Sequence, residues 1–153
     1  MPCYSPLKGF RNLESGGIVF KRSSIAGEAM EVACGQCLGC RLDRSRMWAI
    51  RIVHEASLHD DNCFLTLTYD PEHLPPGGTL VKSDFQKFMK RLRKRFPNRK
   101  IRYFHCGEYG DQLQRPHYHA CIFGFYPEDA QLLSENSDYN LYTSDVLSDT
   151  WGL

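Results

Sequence analysis

Arg115-Pro116-His117-Tyr118-His119-Ala120-Cys121-Ile122-Phe123-Gly124 sets two imidazoles on either side of one bulky residue, inside a run of β-favouring side chains. In a strand alternate side chains share a face, so His117 and His119 project together, about 6.6 Å apart along the backbone. Two imidazoles so placed can hold one metal ion. Upstream, residues 101–109 (Ile-Arg-Tyr-Phe-His-Cys-Gly-Glu-Tyr) read as a second strand, and Gly110-Asp111-Gln112-Leu113-Gln114 as the turn between the two. Antiparallel pairing brings Glu108 beside His117. Two histidines and one carboxylate leave coordination positions open, as catalytic metal sites do. A His-x-His pair also occurs simply as two hydrogen-bonded, half-exposed side chains; the nearby Glu108 and the basic segment described below weigh toward ligation.

Working outward, Cys63-Phe64-Leu65-Thr66-Leu67-Thr68-Tyr69 alternates, with Leu65 and Leu67 on one side and Thr66 and Thr68 on the other. Asp70-Pro71 ends that strand, and Pro75-Pro76-Gly77-Gly78 makes a loop. Ser83 is placed to cap a helix whose apolar positions Phe85, Phe88, Met89, Leu92 and Phe96 recur at helical spacing until Pro97 stops it. The order strand 63–69, helix 83–96, strand 101–109, strand 116–126 and a helix opened by Pro127 matches the start of a βαββαβ plan. The expected fold is therefore α+β, an antiparallel sheet with helices on one face, behind a Cys-rich N-terminal extension. A further helix is expected at 41–58, its stripe of Leu42, Ala49, Ile52, Val53 and Ala56 packed on a sheet. Its Arg41, Arg44, Arg46 and Arg51 read by default as a solvated face.

In the extension, Cys34-Gly35-Gln36-Cys37-Leu38-Gly39-Cys40 spaces three thiols by two residues, with glycines that let a turn wrap round one ion. Cys3 is the candidate fourth ligand, returned to the others by a short hairpin of residues 17–22 and 28–33. A closed four-thiolate zinc site would be structural; an iron-sulfur cluster would use similar ligands. Seven cysteines in 153 residues, an odd number, argue for metal ligands or free thiols over a disulfide framework. The domain division expected is 1–40 for this extension, 41–135 for the core and 136–153 for an acidic tail.

Net charge is +1, but residues 128–153 hold six acidic side chains and no Lys or Arg, which leaves 19 basic against 12 acidic residues in 1–127. That excess concentrates on the helix at 83–96, whose non-core face carries Lys87, Lys90, Arg91, Arg93, Lys94 and Arg95. A polyanion suits such a surface, and strand aromatics that are exposed could stack on unpaired bases. No apolar run approaches the roughly 18 residues of a membrane span, and the N-terminus lacks the features of a signal peptide. A cytoplasmic protein is expected.

Taken jointly, the His-bulky-His strand, Phe64-Leu65-Thr66-Leu67-Thr68-Tyr69 and Cys106-Gly107-Glu108-Tyr109-Gly110 resemble the replication-initiator proteins of small circular single-stranded DNA phages. The likeness is to the gokushovirus branch of the microviruses, within the His-hydrophobic-His endonucleases, and it covers nearly all of residues 1–127. It implies that His117, His119 and Glu108 hold Mg²⁺ or Mn²⁺ and that single-stranded origin DNA is nicked through a phosphotyrosine to prime rolling-circle replication in the bacterial host cytoplasm. It also implies that Thr66 and Thr68 help hold the DNA; the charge pattern adds Lys87, Lys90, Arg91, Lys94, Arg95 and Arg115 as candidate basic contacts, and host replication machinery is a candidate partner. The departure is in the tail: the family's catalytic tyrosine lies on a later helix near a lysine, and neither Tyr139 nor Tyr142 is followed by one. The expectation is thus a chain that retains the metal half, as a fragment or a truncated gene, with weak or absent nicking. The rival readings are a zinc-stabilised single-stranded DNA-binding module or phage remnant without catalysis, and a metal-dependent hydrolase of small phosphates.

Overall fold

The computed structural model describes residues 3–153 and divides them into two units, residues 3–53 and 54–153. The first holds a three-stranded antiparallel sheet in the order β2-β1-β3, built from β1 (Leu7–Asn12), β2 (Ile18–Val19) and β3 (Ala26–Val32). The hairpin expected between residues 17–22 and 28–33 does not form. β1 runs between the two and pairs with both. The cause is local, because Asn12 Oδ1 accepts from the amides of Glu14 and Ser15, a side-chain turn that folds β2 back onto β1 instead.

Helix α1 (Leu38–Ala56) forms as expected, but of its apolar stripe Leu42, Ala49 and Val53 are exposed while Ile52 and Ala56 are half-buried. Helical spacing made that stripe, but the expected packing fails at Leu42, Ala49 and Val53, which stand exposed. Among the described residues of the first unit no apolar side chain is fully buried.

The second unit has a proper core. Its sheet runs β4-β6-β5, with β4 (Asn62–Thr68), β5 (Arg102–Tyr109) and β6 (Pro116–Phe123) all antiparallel and β6 central. Pro116 is tolerated because it is the first residue of its strand. Alternation sorts the faces: Leu65, Leu67, Tyr118, Ala120 and Ile122 turn inward to meet Phe85, Phe88, Met89 and Leu92 of α2 (Lys82–Arg95). Gly107 lies on that inner face as a matter of fit, since a Cβ there would stand 2.9 Å from Leu80 Cδ1. Helix α2 starts one residue before the expected cap, with Val81 at the N-cap and Ser83 inside the first turn. No helix among the described residues is long and apolar enough to cross a membrane.

The C-terminal segment departs most from expectation. Residues 127–133 do not open a helix; β7 (Gln131–Glu135) and β8 (Asn140–Thr143) form an exposed two-stranded hairpin. Asp129, expected in a helical first turn, instead bonds the Ser144 hydroxyl and the Val146 amide and so anchors the start of α3 (Asp145–Trp151). Those same donors hold its carboxyl below the usual range, the Val146 amide first. The acidic tail is part of the core unit, because α3 inserts Leu147 and Trp151 beside α2 on the inner face of the sheet.

Trp151 meets the rings of Tyr69, Phe88 and Tyr118 at 5.4, 5.9 and 5.9 Å and donates its indole N–H to Thr68 O at 2.8 Å. Replacing it with alanine removes a large buried aromatic and orphans a carbonyl, so Trp151→Ala is expected to cost about 3–5 kcal/mol, read as a lowered denaturant midpoint.

Candidate metal centres

The outer face of the sheet carries the other half of each alternation. In register across its three strands stand Thr68, His117 and Glu108, then Thr66, His119 and Cys106, then Phe64, Cys121 and Phe104. β6 being central puts both imidazoles mid-sheet, and its pairing with β5 carries Glu108 to them.

The three ligand atoms converge. His117 Nε2 and His119 Nε2 are 3.2 Å apart, and Glu108 Oε2 lies 3.4 Å from His119 Nε2 and 4.0 Å from His117 Nε2. An ion with ligands at about 2.1 Å spans donors about 3.0 Å apart in an octahedron and about 3.4 Å in a tetrahedron; the two contacts of His119 match one small divalent cation, and the 4.0 Å between Glu108 and His117 closes with a small swing of the exposed carboxylate.

The second nitrogen of each ring is committed. His117 Nδ1 faces Arg115 O at 3.1 Å, and since a carbonyl only accepts, Nδ1 carries the proton and Nε2 of the neutral ring presents its lone pair. Arg115 O also accepts from the Gly110 amide at 3.0 Å, so one carbonyl sets both the hairpin and the ring. His119 Nδ1 lies 3.1 Å from Thr66 Oγ1, which orients that ring in the same way. The Thr66 hydroxyl can donate as well as accept, so in the metal-free protein His119 Nε2–H can donate to His117 Nε2 across the 3.2 Å between them, and a bound cation takes the place of that proton. Losing such an outer hydrogen bond weakens a metal site about 10- to 100-fold, so Thr66→Val is expected to reduce Mn²⁺ affinity by that factor in a calorimetric titration, with the fold unchanged.

Of the other residues singled out in the sequence, Thr66 and Thr68 share the ligand face. Arg115 does not aim at it freely, because its guanidinium donates to Tyr69 O at 2.7 Å and ties the end of β4 to the start of β6. Lys87, Lys90, Arg91, Lys94 and Arg95 lie on α2, the layer behind the sheet, so the structure does not bring them to the ligands. Arg91 is further engaged there, donating to Thr150 O and Trp151 O at the end of α3. The part played by the Arg115 carbonyl had no signal in the sequence. Phe64 stands on the ligand face too, two residues before Thr66 on the same side of β4.

A second cluster lies in the first unit. Cys3, Cys34, Cys37 and Cys40 come together with Cys37 Sγ 3.8 Å from Cys3 Sγ and Cys34 Sγ 4.0 Å from Cys40 Sγ. These are not disulfide separations. They match the edge of a tetrahedron of sulfurs about 2.3 Å from a central ion, which is about 3.8 Å. Amides are aimed at the sulfurs: Tyr4 N to Cys37 Sγ at 3.4 Å, Cys34 N to Cys3 Sγ at 3.3 Å and Cys37 N to Cys34 Sγ at 3.3 Å.

Amide donors, those of Cys40 and Tyr4 foremost, lower the Cys37 thiol to about 6. Cys34 is lowered likewise by the amides of Cys37 and Gln36. Cys40 is pushed up to about 12, where the downward pull of the Gly35 amide is outweighed by burial and by three neighbouring sulfurs. Such a set is prepared for a cation that neutralises the shared charge.

The family model described as replication-associated protein ORF2/G2P matches residues 62–152, from β4 through α3. The chain belongs to that family of phage replication-associated proteins. It is 40% identical over 162 residues to the replication-associated protein VP4 of Bdellovibrio phage phiMH2K, covering 99% of this chain and 50% of that one. It is 35% identical over 172 residues to replication-associated protein ORF2 of Spiroplasma virus 4, covering 99% and 53%. To replication-associated protein ORF4 of Chlamydia phage 1 the identity is 36% over 104 residues, 65% of this chain and 26% of the relative. The chain thus spans about half the length of the first two relatives. No solved structure matches it. In this family member, the matched segment contains the whole His117, His119 and Glu108 site, whereas the four-cysteine cluster lies before it.

Proposed function

We propose that this chain carries the metal-binding half of an endonuclease that nicks single-stranded origin DNA to initiate rolling-circle replication of a phage genome. The observation that carries the reading is the convergence of His117 Nε2, His119 Nε2 and Glu108 Oε2 on an open sheet face within the family-matched segment.

Bound there, Mg²⁺ or Mn²⁺ would polarise the scissile phosphodiester. The chain's own residues set the stage for that chemistry. Arg115 O and Thr66 Oγ1 hold the two rings with Nε2 outward, and Glu108, 56% exposed, supplies negative charge that favours a cation over a free phosphate. The hydroxyls of Thr66 and Thr68, on the same open face, are positioned to donate to phosphate oxygens. Attack on phosphorus needs a phenolic nucleophile, and the tyrosines on or next to the three strands of this sheet do not provide one. Tyr103 and Tyr118 turn to the inner face, Tyr69 is buried against Asp84 and Trp151, and the Tyr109 hydroxyl accepts from the Leu80 amide.

That orientation favours a second reading for the chain taken alone, a zinc-stabilised single-stranded DNA-binding module without cleavage. One assay separates the two. The parent chain and the His117→Ala/His119→Ala variant are incubated with a labelled single-stranded origin oligonucleotide and Mn²⁺. Cleavage by the parent, lost in the variant, supports the nickase; equal binding with no cleavage in either supports the module.

A further inference from the structure

We propose that Phe64 is the stacking platform for an unpaired base of the bound strand, and so a residue that positions single-stranded DNA against the metal ligands. The inference rests on the reading of the outer sheet face as a single-strand DNA site and adds a part that neither the family match nor the metal geometry assigns.

A lone exposed phenylalanine is ordinary on a protein surface. This one is set apart by its seat. Phe64 is 64% exposed in the middle of β4, although every second residue after it on that face, Thr66 and Thr68, is polar. Its ring is stacked on the imidazole of His119, centroids 5.4 Å apart and planes 21° from parallel. It therefore prolongs the aromatic surface of a metal ligand by one more ring.

Its place along the strand suits one nucleotide. Phe64 stands one pleat beyond Thr66, about 7 Å along β4, on the row next to His119. A phosphate held near His117, His119 and Glu108 would leave a neighbouring base within reach of that ring. Only a base freed from a duplex exposes the π-face such a platform takes, and aromatic stacking tolerates any base identity. The substrate class is accordingly an unpaired strand, with little preference for sequence at this position.

Binding of a fluorescein-labelled mixed-sequence single-stranded oligonucleotide to the full chain, followed by anisotropy with and without added Mn²⁺, tests this. Phe64→Ala and Phe64→Leu are expected to weaken affinity by about 10-fold or more in both conditions, as base–aromatic stacking does on truncation. Phe64→Trp is expected to retain affinity and to show indole quenching beyond that of the parent's own tryptophans. Thermal midpoints of all three should match the parent, because the side chain is mostly exposed.

Affinity of Phe64→Ala within twofold of the parent, or a Phe64→Trp signal unmoved at saturation, overturns the platform while leaving the DNA site standing. A loss seen only with Mn²⁺ would mean that Phe64 merely aligns His119, and also overturns it. If the parent itself binds no single strand, the reading beneath it fails as well.

Discussion

Replacing His117 and His119 together by alanine is expected to weaken Mn²⁺ binding at the sheet more than about 100-fold while leaving the thermal midpoint within a few degrees of the parent. The factor follows from losing two of three protein ligands where even an outer hydrogen bond is worth about 10- to 100-fold. The unchanged fold follows from position. Both rings lie on the outer face, their side chains 17% and 26% exposed, and neither belongs to the core of Leu65, Leu67, Phe85, Phe88, Tyr118 and Ile122. Glu108→Gln should fall between, because the amide keeps an oxygen donor but loses the charge. Isothermal calorimetry on the zinc-loaded chain reads all three.

The second large effect concerns the four cysteines. Cys37→Ser, or prolonged treatment with a strong chelator, is expected to unfold residues 3–53 while residues 54–153 stay folded. The first unit has no fully buried apolar side chain among its described residues, so apolar burial cannot offset the entropy of ordering three strands and a turn. A structural tetrathiolate metal contributes folding free energy directly, apparent values being about 10–16 kcal/mol in zinc-finger peptides. The second unit keeps its own core and helices. Limited proteolysis followed by mass spectrometry should show cuts confined to the first unit. Acidification acts in the same direction. Protons compete with the cation for the thiolates, so metal is expected to be held near neutral pH and released on acidification, with the amide donors that lower the Cys37 thiol delaying its protonation.

What could be read from residues alone, and what could not, divides along physical lines. The period-two alternation of residues 63–69 and 116–123 and the helical period of Phe85, Phe88, Met89 and Leu92 are each satisfied within one element packed on one core. Those elements formed within a few residues of expectation, and with them the meeting of His117, His119 and Glu108. Pairing choices were less visible. Nothing in the composition of residues 7–12 marks β1 as the strand between β2 and β3; the Asn12 side-chain turn decides it.

Amphipathic spacing pointed to a helix at 41–58, which forms at Leu38–Ala56, but not to whether Leu42 and Val53 would find a cover. At the C-terminus, Pro127 and two acids resembled a helix start, yet the Asp129 carboxylate is used far along the chain, accepting from the Ser144 hydroxyl and the Val146 amide at the first turn of α3. Trp151, at the edge of what seemed a polar tail, is a core residue because Tyr69, Phe88 and Tyr118 leave a slot for it and Thr68 O takes its N–H. The basic face of α2 was legible as a charged surface, but its separation from the metal ligands by the thickness of the sheet is a fact of layering that no local pattern encodes.

The most direct test of the central claim is pulsed electron paramagnetic resonance of Mn²⁺ bound to the zinc-loaded chain. Modulation from two imidazole nitrogens, present in the parent and absent from His117→Ala/His119→Ala, is the result expected. Nitrogen coupling unchanged in that variant, or a Mn²⁺ signal with no nitrogen in the parent, would contradict it.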